Sequence, residues 1–252
     1  MSRIDKAFAA KAKIAYLTAG DGSSDYFMAL VRAGANILEI GIPFSDPVAD
    51  GLSIQLAMER SLKKGTNIAK VLEIVREIRS QTDVAVILFT YFNPIQNNLE
   101  KFLSEAKDAG ADGILIVDLP FEEGTQLRFL CDNIGLAQIA VSAPSSSPER
   151  IEQLSTYGSG FLYYACHKGT TGTKDELPEN IVSRINEVKK HSKLPVAVGF
   201  GVSNNNMVNK ILEVADGCVI GSYFVNQVAK NVTSNELEQL AKEVFHVNKS
   251  KC

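Results

Sequence analysis

Eight short apolar runs, each separated from the next by a segment of helical periodicity, restrict this 252-residue chain to very few architectures. The runs cover residues 14–18, 37–42, 84–92, 113–119, 137–142, 161–166, 195–200 and 217–222. Most are apolar nearly throughout, the pattern of strands buried on both faces. The intervening segments have the spacing of helices. In 68–78, Val71, Leu72, Val75 and Ile78 fall on one face. Ser147-Pro148-Glu149 ahead of Ile151 reads as an N-cap followed by proline at the first helical position. Regular alternation of strand and helix implies a parallel sheet with right-handed crossovers. Eight units favour closure over an open sheet, and about 250 residues suit one such closed fold. The expectation is an α/β chain forming a single parallel (β/α)8 TIM barrel over residues 1–252. No linker or low-complexity tract marks a second domain.

Composition narrows the function. Hydrophobic residues make up 45% and charged residues 22%, enough for a substantial core. A net charge of −3 argues against a nucleic-acid or anionic-membrane surface. The one basic cluster, Lys189-Lys190-His191, reads as a helix C-terminus, where cations meet the negative end of the dipole. Cys131, Cys166, Cys218 and Cys252 have neither Cys-x-x-Cys spacing nor accompanying histidines. They suit reduced thiols in a cytoplasmic protein better than a zinc site or a disulfide framework. Lys6, Lys11 and Lys13 interrupt the apolar stretches of the N-terminus, so no secretory core is present. No run reaches the length of a membrane helix.

In such barrels the chemistry lies at the C-terminal ends of the strands. Three stretches there stand out. In ILEIGIPFSDPVADG, residues 37–51, side chains alternate in direction. Leu38, Ile40 and Ile42 are expected to face the helices, which leaves Ile37, Glu39 and Gly41 facing the interior. A carboxylate in an apolar interior is costly. Glu39 therefore reads equally as a structural group bonded to neighbouring strands or as a catalytic acid/base. Asp46 and Asp50 in the following loop read as turn residues, or as the second member of a carboxylate pair. The second stretch, HKGTTGTKDEL at 167–177, is polar and glycine-bearing. It suits a mobile lid or an ordinary exposed loop. The third combines Gly199-Phe200-Gly201 with Gly221-Ser222 at the ends of the last two runs. Backbone N–H groups there could cradle a phosphate.

The segment LEIGIPFSDPVADGLSIQ, residues 38–55, closely resembles the signature of tryptophan synthase alpha subunits. The similarity extends through LTAGDG, TYFNPI, VDLPFEE, GTTG, GFGVS and IGS, and so over nearly the whole chain. It implies a lyase that splits indole-3-glycerol phosphate into indole and glyceraldehyde 3-phosphate by a retro-aldol reaction. By that resemblance Glu39 is the acid/base acting at indole C3 and at the glycerol hydroxyl, and Asp50 accepts the indole N–H. Tyr163 lies beside the substrate. Phe89, Tyr91, Leu115 and Phe200 form the apolar lining, which barrel core would also explain. Thr171 meets the aspartate loop on lid closure. Gly172, Gly201, Gly221 and Ser222 bind the phosphate. The resemblance also implies a pyridoxal-phosphate beta subunit as partner in an alpha2-beta2 heterotetramer. Indole passes to that partner, Asp46 and Pro47 lie at the interface, and this chain has no cofactor or metal of its own.

The sequence departs from the family pattern at four places. Leu52 stands where the signature has proline, which removes a φ constraint. Cys166, His167 and Thr170 stand where the lid has serine, arginine and valine. Histidine lacks arginine's permanent charge and forked donors. These changes motivate an alternative, a catalytically weakened subunit that mainly binds and activates its partner. Other enzymes of this fold fit less well. The Asp-x-Lys-x-x-Asp motif of orotidine-phosphate decarboxylases is absent. Only His167 is near a strand end, where a metal-dependent epimerase needs several histidines.

Overall fold

The computed structural model describes residues 1–166, 177–199 and 201–246. Its strands are β1 (Ala12–Thr18), β2 (Ile37–Gly41), β3 (Ala85–Thr90), β4 (Gly113–Ile116), β5 (Ala137–Gln138), β6 (Ala140–Ser142), β7 (Leu162–Ala165), β8 (Val196–Gly199) and β9 (Gly217–Ile220). The described helices are α1 (Arg3–Ala9), α2 (Asp25–Arg32), α3 (Leu52–Lys63), α4 (Ile68–Gln81), α5 (Leu99–Ala109), α6 (Thr125–Ile134), α7 (Pro148–Tyr157), α8 (Ile181–His191), α9 (Asn205–Val214), α10 (Ser222–Ala229) and α11 (Ser234–Phe245).

All strand pairs are parallel, in the order β5-β4-β3-β2-β1-β9-β8-β7-β6. The two terminal members of that order are halves of one strand, interrupted at Ile139. Its first half pairs with β4 and its second with β7. The Ile139 amide donates to the Ile114 carbonyl at 2.9 Å, so the sheet comes round nearly to a closed barrel. The expected run at 137–142 is thus one strand in two pieces.

Alternation sorts the side chains as expected. Leu38, Ile40 and Ile42 pack outward into the core shared with the helices. Ile14, Ile37, Ile87, Leu115, Phe161 and Val219 fill the barrel interior. On α4 the buried face is Val71, Leu72, Val75 and Ile78. The Ser147 hydroxyl accepts from the Arg150 amide, and Pro148 begins α7. Lys189, Lys190 and His191 occupy the last turn of α8.

The sequence pattern misses α1. A capping box between Ser2 and Asp5 starts it, and Ile4, Ala7 and Phe8 close the N-terminal mouth of the barrel. The Phe8 and Phe161 rings lie 5.1 Å apart. Most strands are a little shorter than their apolar runs, β3 and β4 by the most. β3 ends at Thr90 although the run continues through Phe92, because Tyr91 leaves the ladder yet stays fully buried. β4 ends at Ile116 rather than at 119. Hydrophobicity reports burial and not ladder bonding, so it overruns a strand whose following loop also packs.

With the N-terminal mouth filled, the C-terminal ends of the strands are left to form the site. Among the described residues no helix is long and apolar enough to cross a membrane.

Candidate active site

Glu39 sits in the middle of β2, level with Tyr16 of β1 and Ile87 of β3. It points into the interior and is 1% exposed. One carboxylate oxygen, Oε1, has no hydrogen-bond partner. Burial without compensation penalises the anion. It pushes the Glu39 carboxyl up to about 8, so at neutral pH the group holds its proton.

Asp50 reaches the same place from the loop after β2. A turn in which its amide donates to the Pro47 carbonyl at 3.0 Å brings it back over the barrel. Gly51 then caps α3, and the Gln55 side chain donates to the Asp50 carbonyl at 2.7 Å. The carboxylate is 1% exposed and accepts a 2.7 Å hydrogen bond from the Tyr91 hydroxyl. Burial raises its pKa to about 6, with the Tyr91 bond pulling the other way. The pair therefore divides at neutral pH into a protonated acid and a largely ionised carboxylate, the arrangement that assigns two roles to two carboxyl groups.

Both carboxylates face a cavity of about 40 Å³, a volume on the scale of a few water molecules. Of the expected residues, Phe89, Tyr163, Gly201, Gly221 and Ser222 line it with them. Tyr16, Ile54 and Val219 complete the wall and were not expected. Tyr16 lies beside Glu39 through the β1–β2 register, which neither apolar run specifies by itself. Its ring meets Phe89 edge-on at 5.2 Å, and its hydroxyl lies 3.3 Å from that of Thr18. Burial raises the Tyr16 and Tyr163 phenols well above their ordinary value.

Two expected lining residues lie elsewhere. Tyr91 packs outward against Phe44, ring centroids 5.2 Å apart, because the chain turns where β3 ends, and its hydroxyl serves Asp50 from behind. Leu115 is level with Phe89 in register but lies wholly within the apolar interior. Phe200, Thr171, Gly172, His167 and Thr170 fall outside the described residues.

Gly201 has φ +81°, a conformation that favours glycine. Gly221 is the N-cap of α10 and the buried Ser222 is its first residue. The first-turn N–H groups of a helix have no internal partner and carry the positive end of its dipole. That end lies on the same cavity as the carboxylates, so an anion and a proton acceptor could be held side by side.

On the rim, Asp46 is exposed and accepts from the Ser45 hydroxyl at 2.5 Å, and Pro47 is half-buried. Val48 and Leu52 beside them are 77% and 68% exposed. Leu52 begins α3 even though the signature's proline is missing. Burial pushes the Cys131 and Cys166 thiols up to about 12. No group of three or more metal-ligating side chains occurs among the described residues.

Comparison with known proteins follows the same line. The family model for the tryptophan synthase alpha chain matches residues 4–251. The tryptophan synthase alpha chain of Coxiella burnetii strain CbuK_Q154 is 43% identical over 249 residues, covering 97% of each chain. That of Geotalea daltonii is 42% identical over 238 residues, covering 90% of each. Among solved structures, tryptophan synthase subunit alpha from Legionella pneumophila aligns with a TM-score of 0.88 at 34% identity, covering 97% of both chains. A chain of Mycobacterium tuberculosis tryptophan synthase aligns at 0.89 with 30% identity, covering 96% of both.

Proposed function

The chain belongs to the tryptophan synthase alpha chain family, and from that premise we propose how its two buried carboxylates carry out the family's reaction. It is a lyase of tryptophan biosynthesis that cleaves indole-3-glycerol phosphate to indole and glyceraldehyde 3-phosphate.

Protonated Glu39 delivers its proton to indole C3. Asp50 accepts the indole N–H and balances the positive charge that develops on the ring. The Glu39 carboxylate then takes the proton from the hydroxyl on the carbon attached to C3. As that hydroxyl becomes an aldehyde, the carbon–carbon bond breaks. Its electron pair returns to the ring, and Glu39 ends protonated as it began. The phosphate rests on Gly201, Gly221 and Ser222, and the family resemblance adds Gly172, which lies outside the described residues. Phe89 and Tyr163 border the indole; the roles that the resemblance gives Thr171 and Phe200 fall on residues outside those described.

The observation that carries this reading is the pair itself. Two carboxyl groups from different segments face one cavity with pKa values near 8 and 6. Glu39→Gln and Asp50→Asn should each remove most turnover while circular dichroism stays unchanged. Near-normal turnover in Glu39→Gln would overturn the acid/base assignment.

The family partners with a beta subunit. We assign the docking surface to Asp46, Pro47 and the exposed apolar side chains beside them, within an alpha2-beta2 heterotetramer in the cytoplasm. Pyridoxal phosphate belongs to the partner, and the chemistry above uses none. Nothing among the described residues favours a weakened chain. Of the departures that motivated that alternative, His167 and Thr170 lie outside the described residues, Cys166 is buried, and α3 forms with Leu52 in the proline position.

A further inference from the structure

The β3–β4 ladder ends in an unusual way. The last register pair is Thr90 with Ile116, after which the Val117 amide donates to the Thr90 carbonyl at 3.0 Å. In a continuing parallel ladder the next bond would run from the Phe92 amide to the Val117 carbonyl. Here a side chain takes that place: the Phe92 amide donates to Asp118 Oδ1 at 2.7 Å. The Phe92 carbonyl is held from the other side by the amides of Ile95 and Gln96, at 3.1 and 3.0 Å. Asp118 thus ties the turn after β3 to the end of β4.

Tyr91 is the residue immediately before that anchored amide. It is fully buried, its hydroxyl donates to Asp50 Oδ2 at 2.7 Å, and it accepts from the Ala49 amide at 3.0 Å. Three segments are clasped in sequence: the end of β4 by Asp118, the end of β3 by Phe92 and Tyr91, and the loop after β2 by Asp50. Asp118 is exposed and does not line the cavity that Glu39 and Asp50 share.

We propose that Asp118 is a positioning residue for the lyase reaction: by holding the Phe92 amide it keeps Tyr91 where its hydroxyl fixes the Asp50 carboxylate toward the indole nitrogen. This rests on the role given to Asp50 above. The physical reason is that Asp50 is on a loop. A loop carboxylate can swing, and a misplacement of about 1 Å can cost up to a hundredfold in rate. Tyr91 restrains it only as well as its own backbone is restrained. The ionisable groups coupled to Asp50 and Tyr91 are Tyr16 from β1, Tyr163 from β7 and Asp118 just after β4: besides burial, Asp50 raises the Tyr16 and Tyr163 phenols, and Asp50 and Asp118 both raise that of Tyr91.

The test is a double-mutant cycle on the full chain, reading kcat, KM and the acidic limb of the pH–rate profile for indole-3-glycerol phosphate cleavage. Asp118→Ala should lower kcat about tenfold with KM changed less than about twofold. Asp118→Asn keeps an acceptor oxygen and should restore most of the loss. Tyr91→Phe removes the bond that opposes the burial shift of Asp50, so the acidic limb moves to higher pH. Asp118→Ala should move it in the same direction by less. In the Tyr91→Phe background, Asp118→Ala should add nothing. Wild-type kcat and pH profile in Asp118→Ala, or additive effects in the double variant, would overturn the proposal. Asp50→Asn in the same series separates the two claims. If it retains turnover, the role of Asp50 fails and the positioning role falls with it. If it abolishes turnover while Asp118→Ala changes nothing, only the positioning role fails.

Discussion

Glu39 carries an energetic cost that an apolar residue at its place would not. Its carboxyl pKa rises from 4.5 to about 8 on burial. The folded state therefore binds a proton more tightly than the unfolded state does. By linkage, stability attributable to Glu39 falls as pH rises from 4.5, and the loss is complete above about 8. The loss amounts to a few kcal/mol, on the order of 1.4 per pKa unit. Glu39→Gln, neutral at every pH, should raise Tm above pH 8 and leave it nearly unchanged at pH 4, even as it removes turnover. Equal Tm differences at both pH values would count against burial of the charge as the cause. The same two shifts set the pH dependence of kcat/KM. Activity needs Asp50 ionised and Glu39 protonated, so the profile should be a bell with limbs near 6 and 8. Glu39 as an inward carboxylate was legible from strand alternation alone. Tyr91 was not placed correctly, because its apolar ring gives no sign that the chain turns after Thr90.

At the scale of elements, α10 matters most for ligand binding. It starts at Ser222 directly after β9, so its N-terminal N–H groups are delivered to the cavity by strand geometry. Ser222→Ala removes one hydroxyl from this anion cradle. A lost hydrogen bond to a charged group costs about 1.5–3 kcal/mol. The KM for indole-3-glycerol phosphate should therefore rise by about tenfold or more while kcat changes little. Inorganic phosphate should compete less well against the variant. If KM stays unchanged, the phosphate does not lie against this helix. Gly-x-Gly and Gly-Ser after the last two apolar runs pointed here in advance. The interruption of the fifth strand at Ile139 had no such signal, since 137–142 reads as one apolar run.

For the whole molecule, one mouth of the barrel is sealed by α1 and the other carries all the proposed chemistry. The rim beside the site exposes Asp46, Val48 and Leu52 on one surface, close in sequence to Asp50. A partner that covers this surface would press on the loop that carries the carboxylate, which couples docking to chemistry in both directions. Asp46→Ala should weaken the complex with a beta subunit and reduce its activation, leaving the Tm of the isolated chain within about 1 °C, as for a surface substitution. Gel filtration with a cognate beta subunit at micromolar concentrations is the check. Absence of any complex for the unmodified chain would overturn the assigned surface.

Periodicity determined the class of fold, the inward direction of Glu39 and the strand ends where function gathers. Those properties depend on local burial, which each residue's polarity reports directly. The signature at 38–55 added the family and hence the reaction. Tertiary structure alone decided that Asp50 is buried, that Tyr91 stands behind it, that Tyr16 lines the cavity, and that Asp118 completes a ladder with its side chain. Each of these is a contact between segments tens of residues apart in the chain. Such a contact depends on where two backbones end up in space, and the polarity of neither residue encodes that.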